Sequence, residues 1–86
     1  MYVIITYDVE EKRVAKVLKT CRKYLNWVQN SVFEGEITEA KLERLKLELS
    51  RIIDGSDSIR FYLMKDKNVF QLERMGNDKS QNFMIY

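Results

Sequence analysis

The sequence predicts an α+β domain in which two helices alternate with short strands. Two kinds of periodicity carry that prediction. Apolar residues recur at three- and four-residue steps in two stretches, Glu10 to about Leu25 and about Glu39–Ile53. Runs rich in β-branched and aromatic residues stand before, between and after them, and such runs read as strands.

The chain opens on a strand. Tyr2–Val9 is apolar on both faces, with Val3, Ile5 and Tyr7 on one side and Tyr2, Ile4, Thr6 and Asp8 on the other. Strands covered on both faces have this composition. The first helix follows, with Val14, Val17, Leu18, Cys21 and Leu25 as its core stripe. Lys12, Lys16, Lys19 and Lys23 form an opposite, basic stripe. Asp8 followed three residues later by Glu11 is a variant of the capping pattern for this helix.

Trp27-Val28-Gln29 and Val32–Ile37 read as two short strands with a turn at Asn30-Ser31, or as one bulged strand. Thr38 is a suitable N-cap for the second helix. That helix carries Leu42, Leu45, Leu49, Ile52 and Ile53 as its stripe and stops at Asp54-Gly55. Leu47 falls off the stripe and marks a candidate contact surface. Ser58–Lys65 and Val69–Met75 are strands joined by a turn at Asp66-Lys67-Asn68. Gly76-Asn77-Asp78-Lys79 is a break, and the last segment, Gln81–Tyr86, is strand-like again.

The order is β-α-β-β-α-β with an extra C-terminal strand. Short connections and right-handed crossovers favour a ferredoxin-like sheet with both helices on one face. Residues 1–86 form a single domain, with 76–86 as a C-terminal extension. The other sheet face, carrying Tyr2 and Ile4, calls for a partner. The expectation is a symmetric homodimer packed through the open sheet faces, its C-terminal strands pairing across the dimer.

Composition narrows the function. At 86 residues and 45% hydrophobic, the chain folds but has a small core. One cysteine excludes an internal disulfide, and no apolar run approaches a membrane span or a signal peptide. A soluble cytoplasmic protein with no membrane partner is expected. Net charge is only +2, yet Lys12, Arg13, Lys16, Lys19, Arg22 and Lys23 follow one another without an intervening acid. That arrangement is either a solvated helix face or a surface for phosphate.

Without histidine there is no Ser-His pair and no His-based acid or base. Nor is there a glycine-rich phosphate loop or the aromatic pattern of RNA-recognition sheets. Asp8, at the end of the first strand, remains. It either caps the first helix or holds Mg²⁺, which takes one or two carboxylates and keeps several waters. Its strand parity puts it on the face expected to dimerise, so two copies of Asp8 could share one ion. An ion there would favour phosphodiester hydrolysis. Arg13, one turn into the helix, either pairs with Asp8 or holds a phosphate beside it. Ser31 is a turn hydroxyl with a second reading as a phosphate contact. Val32 and Phe33 read as core, and Cys21 as buried and inert.

Several segments together resemble the CRISPR-associated protein two family. They are the first strand ending Tyr7-Asp8-Val9, Arg13-Val14-Ala15-Lys16-Val17-Leu18, Val28-Gln29-Asn30-Ser31-Val32-Phe33-Glu34-Gly35 and Asp57-Ser58-Ile59-Arg60-Phe61-Tyr62. The resemblance runs from residue 1 to about residue 76, and the Gln-x-Ser-Val-Phe-Glu-Gly segment is its most specific part. It implies a ferredoxin-like homodimer and an endonuclease dependent on Mg²⁺ or Mn²⁺. The substrate implied is single-stranded RNA in some members and double-stranded DNA in others. It also implies a place in spacer integration, bridging two dimers of the CRISPR integrase, protein one of the adaptation complex. By the same resemblance Asp8 matches a metal-binding aspartate, and Arg13 and Phe33 match residues linked to activity. The chain departs at Leu25 and Trp27, where many members carry glycine and arginine. That removes one candidate phosphate ligand.

Overall fold

Alternation along the first strand organises the molecule. The computed structural model describes residues 1–66 and 69–76. Its elements are β1 (Tyr2–Asp8), α1 (Glu11–Arg22), β2 (Asn26–Gln29), β3 (Val32–Glu36), α2 (Glu39–Ser50), β4 (Ser58–Asp66) and β5 (Val69–Gly76). The strands form one sheet ordered β2-β3-β1-β4-β5, with every neighbouring pair antiparallel. The first four strands give the expected ferredoxin-like order, and β5 extends the sheet beyond β4.

One face of the sheet is the core. Val3 and Ile5 are fully buried and Tyr7 nearly so, while Tyr2, Ile4 and Thr6 are half-buried and Asp8 is exposed. Phe33 from β3 and Ile59, Phe61 and Leu63 from β4 complete the inner layer. Val17 and Cys21 of α1 and Leu42, Leu45 and Leu49 of α2 pack onto it. Each such apolar side chain contributes roughly 1.5–3 kcal/mol when removed from water.

Several expectations change in detail. Asp8 does not cap α1: the N-cap is Glu10, and no side chain hydrogen-bonds there as a cap. The reason is spatial, since Asp8 is still a rung of the sheet, opposite Ser58 on β4. Helix α1 ends at Arg22, before Leu25, which is buried in the turn that follows and donates its N–H to the Cys21 carbonyl at 2.9 Å. Val14 is not core but exposed, and Thr20 is buried in its stead. Helix α2 stops at Ser50, so Ile52 and Ile53 pack from the next turn, both donating N–H to Leu49 O at 3.0 Å.

Other expectations hold. Thr38 caps α2, its hydroxyl accepting the Lys41 N–H at 3.2 Å. β2 and β3 form a hairpin turning at Asn30-Ser31, with a bulge between Trp27 and Gln29. Asn30 has a φ of 43°, a region that asparagine enters more readily than most residues. Leu47 is 52% exposed.

The open face carries the expected apolar residues, with Tyr62 opposite Ile4 and Met64 opposite Tyr2. Tyr62 is buried there, and Tyr2, Ile4 and Met64 are half-buried. The large exposed apolar side chains among the described residues are Val14, Trp27, Val28 and Leu47. The Asp66-Lys67-Asn68 turn, the break after Gly76 and the Gln81–Tyr86 segment fall wholly or partly outside the described residues. Among the described residues, no helix is long and apolar enough to cross a membrane.

Candidate metal centre and nucleic-acid surface

Asp8 stands where β1 leaves the sheet. Being the residue after buried Tyr7, it projects to the face opposite the helices, and its side chain is exposed. A depression of about 360 Å³ adjoins it, lined by Tyr7, Asp8, Val9, Val14, Asn30 and Ser31. The fold thus brings Ser31 beside Asp8. The two are joined through backbone, since the Tyr7 N–H donates to the Ser31 carbonyl at 3.1 Å. Exposed Val14 is also accounted for, because it borders this depression instead of facing the sheet.

Phe33 lies behind the site. It is fully buried and stacks on Tyr7, with ring centroids 6.2 Å apart and planes 26° from parallel. Its contact with the Asp8 end of β1 therefore runs through Tyr7.

Arg13 pairs with Asp57 and not with Asp8. Its guanidinium lies on Asp57, with Nε donating to Oδ2 and Nη2 to Oδ1, the latter at 3.2 Å. Nη2 also stands 3.5 Å from Glu10 Oε2. Asp57 is buried and accepts two further bonds, from Glu10 N–H to Oδ1 at 2.9 Å and from Asp54 N–H to Oδ2 at 3.0 Å. The Arg13 hydrogen bond, ahead of those two N–H groups, overrides burial and holds the Asp57 carboxyl down at a pKa of about 2.

The basic stripe divides. Lys12, Lys16 and Lys19 are exposed, Lys12 standing 3.8 Å from Glu10 Oε2. Lys23, roughly 16 Å along the helix from Lys12 at 1.5 Å per residue, is hydrogen-bonded to Glu48 of α2. Glu48 also accepts from the Tyr24 hydroxyl. These two bonds hold the Glu48 carboxyl below the usual range, Lys23 contributing most.

Composition alone did not single out Asp57, Glu48, Arg60 or Arg74. The β-ladder sets Asp8 opposite Ser58, Thr6 opposite Arg60, and Arg60 opposite Arg74. The two arginines therefore share the Asp8 face of the sheet. Their pairing depends on register, which the sequence does not display.

The donor set can be tested against a metal. Among the described residues no three His, Cys, Asp or Glu side chains gather into a ligand cluster. One exposed carboxylate fits Mg²⁺, which keeps most of its waters, and fits poorly the ions that need an all-protein cage. Two copies of Asp8 facing each other would supply the one or two carboxylates such an ion takes.

Comparison with known proteins supplies the family. The sequence profile of CRISPR associated protein Cas2 matches residues 1–72. A CRISPR-associated endoribonuclease Cas2 of Thermotoga maritima is 59% identical over 87 residues, with all of both chains covered. Another of that name from Dictyoglomus turgidum is 50% identical, with 99% of each chain covered. A crystal structure of a Cas2 protein superposes with a TM-score of 0.76 at 48% identity, covering 100% of this chain and 98% of that one.

Proposed function

The chain belongs to the Cas2 family of CRISPR-associated proteins, and from that premise we propose that it is a Mg²⁺-dependent endoribonuclease whose site is completed by a second copy of itself. The observation that carries this reading is the position of Asp8: an exposed carboxylate at the end of a central strand, on the face away from the helices. The relatives' names, CRISPR-associated endoribonuclease, support RNA as the first substrate to try. Cleavage of double-stranded DNA is the second.

The homodimer would pack the two open sheet faces together, with the two Asp8 carboxylates holding Mg²⁺, or Mn²⁺ in its place. Bound there, the ion supplies charge neutralisation at a phosphodiester and a lowered pKa for an attacking water. The chain's own residues do the rest. Tyr7 and Phe33 stack to hold the strand end, and Ser31 offers a hydroxyl beside it. Lys12, Lys16 and Lys19 hold the nucleic-acid backbone along α1. No histidine is present, so any side-chain proton transfer falls to other groups.

A second role is compatible with the same dimer. An exposed lysine row on α1 can grip duplex backbone without cleaving it. As a scaffold for spacer integration, the dimer would bridge dimers of the CRISPR integrase, protein one of the adaptation complex. The two roles separate in one experiment. Cleavage of RNA and of duplex DNA is compared for wild type and Asp8→Ala, with Mg²⁺ and with chelator. The nuclease reading expects cleavage that disappears in the variant and in chelator while the dimer persists. Equal cleavage by both proteins would remove Asp8 from the chemistry.

A further inference from the structure

We propose that Asp57 is a positioning residue for the Asp8 carboxylate, acting through the backbone it holds at Glu10; the proposal rests on the reading of Asp8 as the metal ligand. Asp8 is the last rung of β1 and pairs with Ser58, the first residue of β4. The ladder with β3 ends at Thr6, so Asp8 is a rung with β4 alone, and what grips the chain beyond it bears on its direction. Two residues on, the Glu10 N–H donates to Asp57 Oδ1 at 2.9 Å. Asp57 immediately precedes Ser58. One end of β4 therefore fixes Asp8 from both sides, by the ladder at Ser58 and by a carboxylate at Asp57.

The grip is stiff because Asp57 has little freedom of its own. Its two oxygens accept from Glu10 N–H, Asp54 N–H and both Nε and Nη2 of Arg13. It is 1% exposed. A buried ionised carboxylate is costly unless fully hydrogen-bonded, and an apolar side chain would fill the space at less cost. What the carboxylate adds is geometry: it ties the junction between β1 and α1, the first turn of α1 and the turn before β4 to one point. Arg13 then acts through Asp57, as a strut from α1, and not by touching a substrate phosphate.

The test uses the full-length protein. Mn²⁺ affinity by electron paramagnetic resonance and native hydrogen exchange over residues 8–13 are compared for wild type, Asp57→Asn and Arg13→Lys. In Asp57→Asn the Glu10 amide loses protection and Mn²⁺ binds roughly tenfold more weakly, as when a group that orients a metal ligand is removed. Arg13→Lys keeps the charge but not the fork, and shifts both readouts the same way by less. It carries the test if Asp57→Asn does not fold. The KM for RNA stays within about twofold of wild type in both, while kcat falls. Wild-type exchange and Mn²⁺ affinity in Asp57→Asn would overturn the proposal. So would a raised KM in Arg13→Lys with Mn²⁺ affinity unchanged, since that places the arginine on the substrate. Absence of Mn²⁺ binding in the wild type itself would instead remove the metal reading, and the proposal with it.

Discussion

The buried carboxylate of Asp57 and the half-buried guanidinium of Arg13 pair across 44 residues of sequence, with Nη2 donating to Oδ1 at 3.2 Å and Nε to Oδ2. The pair joins the first turn of α1 to the start of β4, next to the strand end that carries Asp8. Its electrostatics give a pH dependence with a definite sign. The Arg13 hydrogen bond and two backbone N–H groups lower the Asp57 pKa from 3.8 in the free residue to about 2. A carboxyl depressed in the folded state adds stability that is fully present above its unfolded value. That stability is lost as pH falls through the folded one. Asp57→Asn should melt roughly 5–15 °C below wild type at pH 7. Thermal melts from pH 7 to pH 2 should show this gap constant above pH 5, then closing between about pH 4 and pH 2. A gap unchanged at pH 2 would mean that the ionised form is not what stabilises.

Gly76 rests against the same residue. It has a φ of +88°, and a Cβ built there would lie 2.0 Å from the Asp57 carbonyl oxygen. Backbone atoms on both strands would have to move, because neither contact partner is a flexible side chain. Gly76→Ala should therefore destabilise the domain by on the order of 2–4 kcal/mol. Urea unfolding measures it; a change within experimental error would show that β5 can part from Asp57 at no cost.

The thiol of Cys21 is fully buried in the core under α1, and burial pushes its pKa up to about 12. The thiolate is the reactive form, so iodoacetamide at pH 8 should leave the native protein unlabelled and modify it fully in guanidinium chloride. Rapid labelling without denaturant would mean that α1 opens on the timescale of the reaction.

The lysines of α1 should fall into two groups. Reversal of Lys12, Lys16 and Lys19 to Glu should weaken RNA binding. It should also flatten the salt dependence by roughly 0.7 in log–log slope for each phosphate no longer neutralised. Lys23→Glu sets a second carboxylate against Glu48, its partner in the native structure, and should lower stability while changing the salt slope little. Filter binding across a salt series, with melts of each variant, separates the two. An unchanged slope in the triple variant would leave the stripe a solvated face.

How much of this was legible in the sequence depends on the range of the interaction. The strand parity of β1 was readable because burial alternates residue by residue, and Val3, Ile5 and Tyr7 do lie inward with Asp8 outward. The Thr38 cap and the Asn30-Ser31 turn were readable because their chemistry is local. Val14 failed because three- and four-residue spacing gives a helix stripe but not where the sheet beneath it ends. Capping by Asp8 failed because the strand continues through that residue. In the sequence Asp57 stands out only as the start of the Asp57–Tyr62 segment, and its partners Glu10 and Arg13 are 47 and 44 residues away. No local pattern announces an interaction of that length. Arg60 and Arg74 were hidden for the same reason, since only the ladder places them on the Asp8 face.

We propose that one metal ion belongs to two chains through Asp8. The most direct test is the stoichiometry of Mn²⁺ binding by isothermal titration calorimetry, on wild type and Asp8→Ala, alongside the mass of each in solution by light scattering. The expected result is a dimer that binds one ion per two chains at this site, and an Asp8→Ala dimer that binds none there. One ion per chain, or binding unchanged in Asp8→Ala, would contradict it.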